Sequence, residues 1–477
     1  MIIRKTIIAF TVLLFSFSML TAGELTLNDF LKGWLENDRN LKTAAINLEK
    51  AELSNEKSII QNGFDITLSS GTMTFRTVNG IGNFSVNPNV KASLPSVRNL
   101  SLSAGTDITI SSDTKIENAS FSTEFDLIDT DKEKRELTEK ESLRAVLEAK
   151  RQIESKAQSS EKSFYSEIKS LLESSETIAS SKNSLYTDKI SFEKIRTQGY
   201  AETSSNYRLA EMKVRNDLHS IETSERSLNH NFDLFLLKCG LKENAVSYED
   251  FLKILENEIS EQKILTFDDF EKGNYKQLEN ALWTQNINSM SRSSDKNYSL
   301  KGSAGYTFNN TSTISSDGKA SDSLDAKLSS SVLGMNLSAG VSVPVNPNAA
   351  PAFTAGISFS PNTLKLQKLE DKSKTLDEKS EELSIESVLY NYNIAAADKK
   401  QTAEDLKWNM STIEENLSMY TKTESDMKYY FDRGIITESE YLSAKSNKEK
   451  YEIEKTLNLL DIIISNCDTQ SLFYSHK

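Results

Sequence analysis

Apolar residues recur at intervals of seven along three long stretches, and none of these stretches contains a proline. Phe164, Leu171, Ile178, Leu185 and Phe192 form one series. Tyr207, Val214, Ile221, Leu228 and Phe235 form a second, and Leu369, Leu376, Leu383, Tyr390 and Ala397 a third. A sevenfold repeat puts its members on one stripe of a helix, the arrangement by which helices interlock. All six prolines (Pro88, Pro95, Pro344, Pro347, Pro351 and Pro361) lie elsewhere, and an internal proline would cost a helix about 3 kcal/mol. The pattern predicts uninterrupted helices over about 133–198 and 364–433. At about 1.5 Å per residue each would run about 100 Å, longer than the core of a globular domain can use.

Both long helices stop at a glycine. Upstream of Gly434, Ala403, Leu406, Met410, Ile413, Leu417, Tyr420, Met427 and Phe431 alternate spacings of three and four, with Glu424 as the one polar intruder. Downstream, Thr437 with Glu438 and Glu440 reads as the capped start of another helix. The same order occurs at Gly199 and Thr203 in FEKIRTQGYAETSSNYRLAE. Each site is the tip of a helical hairpin.

Between the helices, residues alternate. Leu100, Leu102, Ala104, Thr106, Ile108 and Ile110 share one face and Ser101, Ser103, Gly105, Asp107 and Thr109 the other; Ala119, Phe121, Thr123, Phe125 and Leu127 repeat the pattern. The second half does the same around 298–308, 333–345 and 353–359. A strand with one apolar and one Ser/Thr/Gly/Asp face suits a membrane barrel, apolar toward lipid and polar toward a water-filled lumen. A soluble sandwich also satisfies the alternation, but paired helices of this length hanging from one end would leave it without an obvious core. If the helices enter and leave on one side, each half has an even number of membrane strands.

The order helix, strands, long helix, glycine tip and returning helix occurs twice. TLNDFLKG at Thr26 is echoed by TFDDFEKG at Thr266, an offset of 240. The offsets for Asn40 to Asn274, Gly199 to Gly434 and Tyr207 to Tyr441 are 234, 235 and 234. Near-constant spacing implies an internal duplication. The expected divisions are a signal peptide at 1–23, a first repeat at 24–250 (strands about 64–128, hairpin about 133–240) and a second at 251–477 (strands about 298–360, hairpin about 364–466). The opening residues read as a helical stretch running to about Ile60.

The signal peptide rests on Arg4 and Lys5 before an apolar run from Thr6 to Leu20 and small residues at Ala22 and Gly23. The formal net charge of −13 disfavours nucleic acid as a partner. Cys239 and Cys467, the only cysteines, read as buried free thiols. His219, His230 and His476 have no metal or triad context, and no stretch matches a nucleophile elbow or phosphate loop. Neither enzyme activity nor a cofactor or metal is expected.

At this point the residues resemble a known family. Asn40 with Leu41, Ala44 and Ala51, the tip Phe431–Ala444 (FDRGIITESEYLSA), and the LLKCGL segment at Leu236–Leu241 are similar to the TolC family of outer-membrane efflux proteins. The resemblance implies an α+β membrane protein: a homotrimer sharing one outer-membrane β-barrel, with coiled-coil hairpins forming an α-barrel across the periplasm. It also implies a periplasmic adaptor (membrane fusion protein) and an inner-membrane transporter as partners, in efflux or type I secretion. A trimeric coiled-coil surface or structural protein without a transport role is the alternative. The family's second tip has acidic residues six and nine after the glycine, a tyrosine three before it and an arginine two after. Here those positions are Glu440, Ser443, Phe431 and Ile436, so one acidic position is kept. Glu440 would either form a negative ring at the closed mouth or serve only the start of its helix. The chain also departs from the family in having about four alternating segments per half where the family has two; enlarged extracellular hairpins, Leu324–Val345 among them, would account for the excess.

Overall fold

The computed structural model describes residues 25–78, 81–110, 114–243, 245–309, 322–345 and 350–475. The signal-peptide segment and His476 lie outside them. The chain is rich in helix and carries one antiparallel sheet. In order, its elements are α1 (Leu27–Asn37), α2 (Arg39–Gln61), β1 to β6 (Asp65–Ser69, Met73–Val78, Ile81–Val86, Asn89–Leu94, Leu100–Ile110, Thr114–Asp126), α3 (Lys132–Thr197), α4 (Ser205–Lys238), α5 (Tyr248–Glu258), α6 (Lys276–Ser294), β7 to β10 (Tyr298–Asn309, Ser323–Val332, Met335–Pro344, Ala352–Phe359), α7 (Pro361–Asp432) and α8 (Glu438–Ser471). The described residues within 25–46, 150–279 and 388–475 make a helical unit, and those within 47–149 and 280–387 a sheet unit. Among the described residues no helix is long and apolar enough to cross a membrane.

The helical unit is built on the sevenfold series of α3 and α4. Phe164, Leu171, Ile178 and Leu185 are buried, as are Ile221, Leu228 and Phe235. They join Phe30, Phe232, Phe251, Leu255 and Leu460 in one core. The third series behaves differently: Leu369, Leu376, Leu383 and Tyr390 on α7 are 65%, 57%, 64% and 67% exposed. Among the described residues nothing covers that stripe.

The opening helical stretch reaches Gln61 and is divided into two helices. Asp38 leaves the helical conformation, and its carboxylate accepts a hydrogen bond from the Asn40 N–H at 2.7 Å, so it ends α1 and starts α2. α1 begins in a capping box in which Thr26 and Asp29 each bond the other's backbone N–H. The echo at Thr266 and Asp269 keeps the box but stops after the short turn Phe267–Asp269. A third version went unread in the sequence: Ser247 and Asp250 cap α5, whose SYEDFLK matches TLNDFLK at as many positions as TFDDFEK does and keeps the DFLK run intact.

Gly33 shows what α1 demands of its sequence. A Cβ there would lie 2.1 Å from the carbonyl oxygen of Cys239, whereas Gly273 in the echo has open space. Gly33→Ala is therefore expected to push α1 off the end of α4 and to destabilise the fold by about 1–3 kcal/mol, with Gly273→Ala neutral. Thermal melting followed by far-ultraviolet circular dichroism checks the pair.

The sheet unit runs as a meander in the order β1-β4-β5-β6-β7-β8-β9-β10, with β2 paired to β3 and β3 also to β5. β1 with β2 forms one rung and β3 with β4 the next, since β4 and β3 lie end to end along β5. The sheet thus has eight rungs, four from each half. The single-strand rungs run from 8 to 13 residues, around the roughly 9–11 that a barrel strand uses to span a bilayer. In each half the chain turns back once at the end where the helices attach. Arg98 and Asn99 make the first such turn, both with φ of 51°. Leu333 and Gly334 make the second, with φ of 51° and 78°. This placement corrects the expectation for Leu324–Val345. The Leu333 N–H bonds the Asn297 carbonyl and the Ser360 N–H bonds the Gly334 carbonyl, so the tight turn sits beside the helix ends. β8 and β9 are two full rungs, paired over ten positions.

Candidate functional site

The two helical tips are built as their residues dictate, each from a left-handed glycine and a polar cap. Gly434 has φ of 70°, which a side chain would strain. Its N–H bonds the Phe431 carbonyl at 2.8 Å and the Ile435 N–H bonds the Tyr430 carbonyl at 3.0 Å, the two bonds that close a helix around a C-terminal glycine. Thr437 then caps α8. At the first tip Gly199 has φ of 76°, but the cap of α4 is Ser204, whose hydroxyl accepts from the Tyr207 N–H. Thr203, chosen from the sequence, is an exposed loop residue one position too early.

The four residues carried over to the second tip have distinct surroundings. The Glu440 carboxylate accepts from both the backbone N–H and the hydroxyl of Thr437, at 2.8 and 3.0 Å. Its local role is that of a capping-box acid. The Ser443 hydroxyl donates to Asn183 Oδ1 at 2.6 Å, fastening α8 to α3. Phe431 stacks on Tyr441 with ring centroids 5.5 Å apart and 9° between planes. Ile436 is half-buried, while Ile435 beside it is exposed.

Sequence reading missed several groups that fix this end of α8. The Ser446 hydroxyl donates to the Ala179 carbonyl at 2.7 Å in a buried contact. Glu424, the polar intruder in the α7 stripe, accepts from the Tyr441 hydroxyl at 3.3 Å. Burial, and then the Glu424 carboxylate, push the Tyr441 phenol above its ordinary range. The serine and alanine spacing in EYLSAKS was the available signal, since small residues let two helix backbones approach closely.

The sheet has two chemically different faces. Leu68, Val90, Ala104, Phe121, Tyr306, Leu324 and Val343 lie opposite one another in a single row across seven rungs, and all are exposed. The adjacent row, on the other face, reads Thr67, Lys91, Ser103, Ser122, Gly305, Asp325 and Ser342. There the Ser103 and Ser122 hydroxyls are hydrogen-bonded at 2.7 Å. Every residue of β1 and of β10 is exposed, and these two strands are the ends of the meander.

Among the described residues no cluster of three or more His, Cys, Asp or Glu is arranged to hold a metal ion. His219 and His230 are exposed on α4. Cys239 and Cys467 are buried and unbonded, and burial pushes each thiol up to about 12. At pH 8 only about one molecule in ten thousand would carry the thiolate at either site. Neither cysteine should therefore react with a thiol reagent in the folded protein, and both should react after unfolding, as counted by mass spectrometry of the alkylated chain.

Two models of one family match the chain end to end: the TP096X N-terminal domain over residues 30–259 and the TP096X C-terminal domain over residues 260–476. No curated protein matches the sequence. Among solved structures, the outer membrane protein VceC of Vibrio cholerae is similar at 12% identity and a TM-score of 0.46, over 94% of this chain and 95% of that one. The open state of the Neisseria gonorrhoeae MtrE outer membrane channel is similar at 13% identity and a TM-score of 0.45, over 96% and 93%. The Campylobacter jejuni CmeC outer membrane channel is similar at 11% identity and a TM-score of 0.42, over 97% and 92%.

Proposed function

For a chain that belongs to the TP096X family over residues 30–476, we propose a role as an outer-membrane duct. Several copies would share one barrel, and their helical hairpins would extend into the periplasm. The observation that carries this reading is the sheet: eight rungs of about membrane-spanning length, an exposed apolar face and a polar face that is half-buried to exposed, and both edges unpaired among the described residues. In water such a sheet would aggregate through its edges. In lipid its apolar face is solvated, and only its edges still require hydrogen-bond partners. The uncovered stripe of α7 points the same way, because a sevenfold apolar series on a helix surface asks for another helix.

In this reading residues 1–23 direct export and the repeats 24–250 and 251–477 arise by duplication. The assembly is a homotrimer working with a periplasmic adaptor and an inner-membrane transporter, in efflux or type I secretion. It is a conduit and catalyses no reaction. Fractionation of cells separates it from the coiled-coil alternative: the duct partitions with outer membranes and conducts in planar bilayers, whereas a structural coiled coil gives no current.

The second tip is the candidate gate, formed by Phe431, Ile436, Glu440 and Ser443. Three copies of Glu440 around an axis would attract cations, in addition to the capping role of each. Glu440→Gln is then expected to lower cation selectivity and to weaken block by multivalent cations in bilayer recordings, with Glu438→Gln unchanged. Identical selectivity in Glu440→Gln and the parent would remove Glu440 from the pore.

A further inference from the structure

α5 ends with charges that a helix end ordinarily avoids. Its last turn holds Glu256 and Glu258 and no basic residue, although the C-terminal end of a helix already carries a partial negative charge. Glu258 has a partner, since its carboxylate accepts from the Leu27 N–H at 3.0 Å. Ile259 then leaves the helical conformation and is buried. From there the chain crosses to α8, where the Leu265 N–H donates to Asn466 Oδ1 at 2.7 Å and Asn466 Nδ2 donates to the Lys263 carbonyl at 3.0 Å. Glu261 lies on the crossing segment between these fixed points. Glu256 and Glu261 are exposed, and among the described residues neither takes part in an ion pair.

Both carboxylates line a groove of about 480 Å³ bounded by the end of α5, by α7 and by α8. Ile259, Met410, Leu417 and Leu459 give it an apolar floor. Glu414 and Glu452 also line it, but each is matched by a lysine: Glu414 lies 3.2 Å from Lys455, and Glu452 3.4 Å from Lys448. The unmatched charge is therefore that of Glu256 and Glu261, reinforced by the end of α5. The volume falls in the roughly 300–1,000 Å³ range of small-molecule sites. The groove covers Met410 to Leu417 on α7 and Glu452 to Leu459 on α8, about 10 Å of helix, which is short for a docked helix and sufficient for one small molecule. A metal ion would leave the apolar floor in water, and among the described residues no three ligating side chains are arranged to hold one. A neutral apolar molecule would desolvate the two carboxylates without pairing them.

We propose that this groove binds an organic cation, with its positive charge at Glu256 and Glu261 and its apolar body on Ile259, Leu417 and Leu459. A ligand so placed touches the crossing segment, α7 and α8 at once. Binding to the folded helical unit alone raises its melting temperature by mass action. The site is independent of the duct reading and stands whether or not the chain conducts.

The probe is tetraphenylphosphonium, with tetraphenylborate as a counterpart of the same shape and opposite charge. Equilibrium dialysis of the full-length protein in a non-ionic detergent is expected to show a saturable site for tetraphenylphosphonium, above the linear uptake of micelles alone, and none for tetraphenylborate. Glu256→Gln with Glu261→Gln should lower the affinity about tenfold. Glu415→Gln, at an exposed carboxylate of α7 outside the groove, should leave it unchanged. All three side chains are exposed, and equal melting temperatures without the probe check that the variants fold alike. No saturable uptake, equal uptake of the two ions, or undiminished affinity in the double variant would overturn the proposal. A double variant with an altered native mass would also overturn it, by giving the groove to a second copy of this chain. Displacement of the probe by a lower concentration of a lysine-rich amphipathic peptide would overturn it in favour of a docked helix.

Discussion

Replacing Phe235 by alanine is expected to cost the helical unit about 3–5 kcal/mol, a large share of the 5–15 kcal/mol by which a typical domain is stable. Phe235 is fully buried, and five rings surround it. Centroid distances are 5.5 Å to Phe251, 5.7 Å to Phe164, 6.1 Å to Trp34, 6.2 Å to Phe232 and 6.3 Å to Phe30. These rings come from α1, α3, α4 and α5, so truncation leaves a void between four helices that cannot close without moving one of them. Phe235→Leu, which keeps most of the volume, should lose less than about 1.5 kcal/mol. Thermal melting of the two variants in detergent separates cavity formation from loss of an aromatic contact.

Leu171→Asp should be at least as damaging and should also abolish assembly, because an unpaired carboxylate placed in an apolar core is either desolvated or protonated at a cost. Leu171 is buried on α3 in the same core. Ile178→Asp should behave alike, seven residues on. From the sequence alone Lys169 looks like a neutral position off the stripe. The structure shows that it is not neutral, because Lys169 Nζ lies 2.6 Å from Asp461 Oδ1 and 3.6 Å from Glu173 Oε1. Lys169→Asp would replace an attraction between α3 and α8 with a repulsion, and is expected to fall between Leu171→Asp and the exposed control Lys156→Asp. Yield of folded protein and the fraction recovered as oligomer give the order; equal behaviour of all four variants would mean that the sevenfold pattern of α3 carries no packing.

What the sequence revealed and what it hid divide along physical lines. The stripes of α3 and α4 were legible because each finds its partner within the chain, so periodicity and burial coincide at Phe164, Leu171, Ile221 and Phe235. The stripe of α7 from Leu369 to Tyr390 has the same periodicity and no burial, since none of the described residues covers it. Local punctuation was partly readable. Gly434 and Thr437 form the stop and start that their types imply, but at the first tip the cap fell on Ser204 and not Thr203, two hydroxyl residues that the sequence alone does not rank. The break at Asp38 was missed because its neighbours continue a helical pattern and only the Asp38 to Asn40 bond shows the interruption. For the candidate gate, the sequence supplied the positions of Phe431, Ile436, Glu440 and Ser443, and the structure adds that Ser443 is engaged with α3 and Glu440 with its own helix start. The excess of strands was visible as alternation. Its meaning was not, because the turn at Leu333 and Gly334 could be assigned to one end of the sheet only through its bonds to Asn297 and Ser360.

The most direct measurement of the central claim is the native mass of the protein extracted from outer membranes in mild detergent, recorded on the same sample whose conductance is measured in planar bilayers. The account predicts a particle of three chains that conducts and that loses its conductance when heat separates it into single chains. A particle of one chain with undiminished conductance would contradict it.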